Sequence, residues 1–332
     1  VATQPQKTLK SLSNYDAIIV AKPTEKFSEK EKYTLDQYIC NGGKSLWLID
    51  QIQVASDSLY AKGETLAYPV DLGLTDLLFS YGVRINHHLV TDKNSAKIPL
   101  SAGNLGGKTQ YRFFEWKYLP LLTSEENHLI NTNIAPSVVR YGNSIDTLKN
   151  KVVKKTVLLK SSSLSQAVGT PKILSLEEIK SQKPVDSSEK ERFIGVLLEG
   201  KFPSAYQGRV PPFKYEKAES KETKMVVIAD GDFIANDIKN GQPVALDTDK
   251  WSGRYYGNKE FLVNTMNYLL DDQGLVKIRS KKVKIPFLNK QKAFQETTYW
   301  QFVNIVLPLL LLGIFGVVYS FVRKWRYGRR RE

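Results

Sequence analysis

Cysteine is almost missing from this chain. Cys40 is the only one in 332 residues, which excludes an intrachain disulfide. Histidine is nearly as scarce, with His87, His88 and His128 alone. One Cys and three His cannot assemble a structural zinc cluster in the usual spacings. "NHHLV" therefore reads as a strand with polar residues near its start. There is no Walker A motif G-x-x-x-x-G-K-S/T and no G-x-G-x-x-G fingerprint. "NGGK" has too few glycines, and it follows a predicted helix C-terminus, where the dipole repels phosphate. These absences speak against an ATPase and against a dinucleotide-binding site. A run of like charge is also missing from most of the chain. The net charge is +14, but Lys and Arg are mixed with acids except at the end, which argues against a nucleic-acid groove.

What is present is a globular composition, 42% hydrophobic and 25% charged, in a chain long enough for one large α/β domain. "YDAIIVAKPTEKFSEKEKYTLDQYICNGGKSLWLID" reads as strand, loop, helix, turn, strand. Ser28 with Glu31 fits a capping box. Tyr33, Leu35, Tyr38 and Ile39 approximate an apolar helix face, and Asn41-Gly42-Gly43 stops it. Two continuous apolar strands around one helix predict a βαβ unit and a parallel sheet buried on both faces. Leu72, Leu74, Leu77, Leu78 and Tyr81 form a second helical stripe, stopped by Gly82. Strands are predicted at "RINHHLVTD", "TVLLKSS", "RFIGVLLEG" and "KMVVIAD", and a helix at "NKEFLVNTMNYLLDD". Residues 161–190 are rich in Ser, Lys and Glu and read as a loop-rich insertion. The expected fold is a flavodoxin-like or class I amidotransferase-like α/β sandwich.

The end of the chain is different. An apolar run from Trp300 to about Val322 has the length of a transmembrane helix. Tyr299, Trp300, Tyr319 and Trp325 stand near its edges as an aromatic belt would. Arg323, Lys324, Arg326, Arg329, Arg330 and Arg331 follow at once, and under the positive-inside rule they place the tail in the cytoplasm. The expected layout is an extracytoplasmic domain over 1–280, a basic connector over 281–298, a span over 299–322 and a tail over 323–332. Gly313, Gly316 and Ser320 share one side of the span and form a candidate helix-packing face. Gln301 and Asn304 lie near its outer edge, and Pro308 removes one backbone bond.

Chemistry is offered at "MVVIADGDFIAND". An apolar strand running into Asp230-Gly231-Asp232 is how a Mg-dependent phosphatase presents its nucleophile and general acid. The remainder of that motif is absent: Ile234 stands where Thr or Val is expected, and Asp271-Asp272 ends a helix. Asp-Gly-Asp is also common turn chemistry at a strand end. On that reading Asp230 is a surface residue whose change to Asn costs little, and a tethered periplasmic hydrolase using Asp230 and Asp232 is the alternative. An amidotransferase needs a Cys on an elbow after a strand with a His to activate it. Cys40 precedes the strand and has no nearby His, so it reads as structural. No metal and no cofactor are expected. In "EGKFPSAYQGRVPPF", Phe202, Tyr206, Arg209 and Phe213 combine aromatics with a cation and form a candidate partner-binding surface. A loop packed on its own domain has the same composition.

The segment from Tyr15 to Asp50, with "LLFSYGVRINHHLVTD", "VLLEGKFPSAYQGR", "MVVIADGDFIAND" and "NKEFLVNTMNYLLDDQGLVKIRSK", resembles the auxiliary subunits of ABC-2-type transporters. Within these it is most similar to the gliding-motility-associated GldG family. The resemblance covers about residues 9 to 325. It implies an amidotransferase-like fold without a nucleophile and hence no enzymatic activity. It also implies two partners, a multi-spanning permease and a cytoplasmic ATPase, in the inner membrane. In that family a further domain and an N-terminal helix lie upstream, so Val1 is expected to begin a C-terminal piece.

Overall fold

The computed structural model describes residues 3–124, 128–132, 134–149, 152–179, 189–215, 220–271 and 297–327. The chain divides into two units, Val1–Ser280 and Lys281–Glu332.

The first unit opens with helix α1 (Pro5–Leu12), strand β1 (Ala17–Ala21), helix α2 (Glu29–Cys40) and strand β2 (Lys44–Leu48). The capping box forms: the Ser28 hydroxyl accepts from the Glu31 amide, and the Glu31 carboxylate accepts from the Ser28 amide at 2.9 Å. β1 and β2 pair in parallel, so the βαβ unit is as the sequence predicts. Then come β3 (Ile52–Val54), α3 (Ser56–Lys62), β4 (Glu64–Pro69), α4 (Thr75–Tyr81), β5 (Val83–Ile85), β6 (His88–Asp92), β7 (Ser95–Leu105) and β8 (Lys108–Ser124). β9 (Ser137–Val138), β10 (Ile145–Thr147), β11 (Val153–Lys160), β12 (Ser165–Gly169), β13 (Lys172–Ser175), β14 (Phe193–Lys201), β15 (Glu222–Ile228), the short pair β16 (Ile238–Lys239) and β17 (Gln242–Pro243), and α5 (Asn258–Leu270) follow.

The main sheet runs β1-β2-β15-β14-β11-β8-β7, with β9 beside β8. It is mixed, which corrects the expectation of a parallel sheet. β15 pairs with β2 in parallel, but β15–β14, β14–β11, β11–β8 and β8–β7 are antiparallel. Both faces are covered, and the side-chain alternation shows how. Trp47, Ile49, Met225 and Val227 enter one core with Leu9, Tyr33, Ile39, Leu77 and Tyr81 from α1, α2 and α4. Leu46, Leu48, Val226 and Ile228 enter the other with Phe261, Leu262 and Leu269 from α5. A strand buried on both sides has no polar position to spare, which is why these two read as unbroken apolar runs.

Two expectations need amendment. Part of the 161–190 stretch is ordered sheet: β12 pairs antiparallel with β6, and β13 pairs with β4. Residues 180–188 of it lie outside the described residues. "RINHHLVTD" is two strands, β5 and β6, in separate small sheets.

The second unit is described over helix α6 (Thr297–Tyr327), of 31 residues with Pro308 inside. Within its Gln301–Tyr327 stretch an 18-residue window reaches a mean hydropathy of 2.5, and the helix is long and apolar enough to cross a membrane. Gly313 and Gly316 have no neighbour within 4 Å of an added Cβ. Residues 281–296 of the expected connector and 328–332 of the tail lie outside the described residues.

Candidate functional site

The parallel strands β1, β2 and β15 lie side by side, so their C-terminal ends open on one edge, the place where α/β sheets commonly hold ligands. Each apolar run ends there in a charged residue: Lys22 after β1, Asp50 after β2, Asp230 and Asp232 after β15. Arg140 and Tyr141 arrive from the segment after β9. Lys22, Thr24, Asp50, Gln53, Arg140, Tyr141 and Asp232 line a cleft of about 100 Å³, with Pro23, Ile52, Val54 and Val70 as its apolar wall.

Backbone geometry is unusual at this edge. Lys22 (φ 44) and Tyr141 (φ 55) are two of the three non-glycine residues in the left-handed region among the described residues. Gly231 is there for space: a Cβ would sit 2.7 Å from Asp50 Oδ2 and 2.9 Å from Lys22 Cγ. The bare glycine lets its own amide reach Asp50 Oδ1 at 2.6 Å.

Asp230 is fully buried, not a surface turn residue. Its Oδ2 accepts from the Arg140 amide and its Oδ1 from the Asp232 amide, both at 2.8 Å. This corrects the reading of Asp230 as a surface residue: its carboxyl is the local cap for a short 3-10 turn and ties that turn to the segment after β9. Each oxygen accepts from a backbone donor, and Asp230 is not among the residues that line the cleft. Burial, with Asp50 and Asp232 nearby, pushes its pKa well above the carboxylate range. Asp232 is partly exposed and accepts from the Lys22 ammonium, which also lies 4.0 Å from Asp50. Burial works against the Lys22 charge, but Asp232, Asp50 and Asp230 outweigh it and raise its pKa. Asp50 is pushed up to about 6, chiefly by burial. Asp237, the third carboxylate of the motif, binds Arg140 in bidentate fashion at 3.0 and 2.6 Å. Burial opposes its charge, but Arg140 and Lys250 prevail and lower its pKa.

The cleft is thus mixed in charge and largely self-neutralised. Asp230 and Asp232 are brought together, as the hydrolase alternative requires. Among the described residues, however, no group of three or more His, Cys, Asp or Glu has the geometry to hold a metal ion. Sequence reasoning missed Lys22 and Arg140. The available signal for Lys22 was its place, immediately after an apolar strand. Arg140 had none.

Cys40 is buried, its thiol donates to the Phe202 carbonyl at 3.6 Å, and burial pushes its pKa up to about 12. That is an inert side chain. The stretch "AGNLGGKT" over 102–109, which has Ala102 where a P-loop has its first glycine, forms the tip of the β7–β8 hairpin and opens no helix.

The four residues expected to bind a partner divide. Phe202 is fully buried, its ring edge-on to Tyr81 at 5.1 Å, and Tyr206 is edge-on to Tyr33 at 4.9 Å. Asp36, itself buried, staples this loop by accepting from Ser204 Oγ at 2.6 Å and the Ala205 amide at 2.8 Å. Phe213 rests on Tyr33. Arg209 is more than half exposed and reaches Asp76 at 3.2 Å. Val210 beside it is 91% exposed.

These features define a class: a mixed-sheet α/β domain with a charge-paired cleft at its parallel edge, in a chain that also carries one long apolar helix. A model of the family described as an ABC-type uncharacterized transport system, an auxiliary component, matches residues 1–265, and the chain belongs to this family. An uncharacterized protein of Borreliella burgdorferi is 24% identical over 303 residues, which is 87% of this chain and 52% of that protein. The chain spans about half the length of this curated relative. Among solved structures, the mmIFT52 N-terminal domain aligns with 80% of this chain and 82% of its own at 15% identity. Its TM-score is 0.42, a likeness too low to define the fold.

Proposed function

We propose that this chain is a non-enzymatic, membrane-anchored auxiliary subunit of an ABC-2-type transporter. The family match over residues 1–265 carries the reading. α6 supports the anchor, since 31 residues rise about 46 Å, more than a hydrocarbon core requires. The basic residues at its C-terminal end, Arg323, Lys324 and Arg326, and those that follow in the sequence support a cytoplasmic tail and a periplasmic α/β domain in an inner membrane. Its partners would be a multi-spanning permease and, through it, a cytoplasmic ATPase. Placement in the gliding-motility-associated branch, with its linked secretion, rests on the residue resemblance alone. A flavodoxin-like or class I amidotransferase-like sandwich rests on the strand–helix pattern of the sequence and on the residue resemblance, and the parallel β1-β2-β15 core is consistent with it. The loop from Phe202 to Phe213 would meet a partner through Arg209 and Val210, because Phe202 and Tyr206 are spent on the domain's own core.

Orientation is tested by cysteine labelling in spheroplasts. The native Cys40 is buried and its thiol stays protonated, so background is low. A membrane-impermeant maleimide should modify Lys239→Cys, on the exposed side of the domain, and spare Gly328→Cys. The opposite pattern would invert the topology. Turnover of phosphomonoesters with Mg²⁺, abolished by Asp232→Asn, would replace the binding module by the hydrolase alternative.

A further inference from the structure

β7 and β8 form a hairpin that outgrows the sheet. It closes on Gly106 and Gly107, with φ of 58° and 78°, the left-handed pair that a tight two-residue hairpin turn requires. At its base Ile98 is buried and Leu100 packs on the same cluster. From Ser101 through Arg112 the side chains whose burial is described are exposed. A two-stranded ribbon in water is marginal, and its two edges are open templates for another strand.

The edges are not alike. The β7 edge carries Pro99 and a break in register between Ser101 and Gly103, where Ala102 is the extra residue. Proline and bulges are the devices that blunt an edge. The β8 edge over Thr109–Glu115, "TQYRFFE", has no proline, no glycine and no extra residue of its own, since the register shift opposite Gln110 and Tyr111 is taken up by Ala102 on β7. Its composition favours strand. Among the described residues nothing pairs with its outer side; β9 meets β8 only at Leu121 and Leu122, and β11 only at Thr123 and Ser124. Beside this edge lies an aromatic face. Tyr111 is 53% exposed, Phe113 42% and Trp251 49%, and the Tyr111 and Trp251 rings are 6.1 Å apart. Arg112, on the opposite face across from Leu100, is exposed and makes no ion pair among the described residues.

We infer that the Thr109–Glu115 edge of β8 is a strand-addition site for an extended segment of a partner polypeptide. That segment would lay apolar side chains at alternate positions over Tyr111 and Phe113, with an acidic residue opposite Arg112. Backbone pairing would give affinity, and the aromatic face and the cation would give selectivity. The identity of the partner, a membrane-spanning component of the transport system, rests on the auxiliary-subunit reading. A lipid surface is a poorer match, because the hairpin tip "AGNLGGKT" has one bulky apolar residue, Leu105, among small and polar ones, where insertion needs a larger apolar face.

The test uses the full chain in its native membranes, with a photoreactive phenylalanine analogue at Thr109, Tyr111 or Phe113, or at Ser101 on the β7 edge. The expected result is an adduct from the three β8 positions, mapped by mass spectrometry to alternate residues of one segment of a membrane-spanning chain. The yield from Ser101 should be at least tenfold lower. Arg112→Glu should cut the Tyr111-position adduct at least tenfold, while Arg112→Lys retains it, and both variants should melt within a few degrees of the parent. Adducts to lipid or to a second copy, or equal yields from both edges, overturn the inference. An intact transporter complex with no β8 adduct overturns it and leaves the auxiliary-subunit reading standing; no complex at all overturns both.

Discussion

Asp50 is under two opposed demands. Burial disfavours its charge, while the Gly231 amide and the Lys22 ammonium favour it, and the result is a pKa of about 6. A carboxyl raised in the folded state binds its proton more tightly there than in the unfolded chain. The resulting contribution to stability is full at low pH and is lost as pH rises through 6. Asp50→Asn should therefore stabilise the domain at pH 7.5 by about 1–3 kcal/mol, and the gain should vanish by about pH 4. Urea unfolding at the two values measures it; an equal effect at both would place the cause outside this titration. Asp230 behaves differently. Asp230→Asn keeps one acceptor but turns an amide donor toward the other backbone N–H, leaving a buried donor unpaired. The expected loss is about 1–3 kcal/mol, read by the same unfolding curves with the circular dichroism of the native state unchanged. A loss below about 0.5 kcal/mol would restore the surface-turn reading.

At the scale of elements, what was legible followed the density of signal. The β1–α2–β2 unit was readable because capping box, helical stripe and glycine stop agree in one stretch. α4 was readable from Leu74, Leu77, Leu78 and Tyr81 and from Gly82, which adopts φ 97 as its cap. The antiparallel half of the sheet was not readable, since strand direction depends on which strands meet, and no residue of β14 or β11 records that. β12 and β13 are short and rich in Ser, Gly and Lys, so they resemble loop. The hairpin was overlooked although Gly106-Gly107 between strand-forming runs is its signature. The cleft was only half visible: Asp230 and Asp232 share a motif, but Lys22 and Arg140 reach them across up to 210 residues of sequence. Phe202 and Tyr206 were ambiguous, because an aromatic loop residue looks the same whether it faces a partner or its own core. For α6, the proposed packing face is Gly313, Gly316 and Ser320. Leu at both glycines keeps the helix apolar but adds bulk where a neighbouring backbone would approach. Gly313→Leu with Gly316→Leu should leave membrane insertion intact and cut permease recovery in mild detergent by at least tenfold. Full recovery would reduce α6 to a tether.

For the molecule as a whole, the central claim is that an enzyme-like sheet serves assembly instead of catalysis. A fold does not dictate a function; the site does. Here the parallel edge carries charges that pair with one another, Cys40 is sealed in the core, and family membership points to a transport system. If the claim holds, the chain works only in company. The most direct measurement is purification of the full-length chain from its native membranes in mild detergent, with identification and stoichiometry of every bound polypeptide. The account predicts a membrane-spanning permease and an ATPase in fixed ratio to this chain, retained through size exclusion. Recovery of the chain alone, from membranes in which both of those proteins are present and extracted, would contradict it.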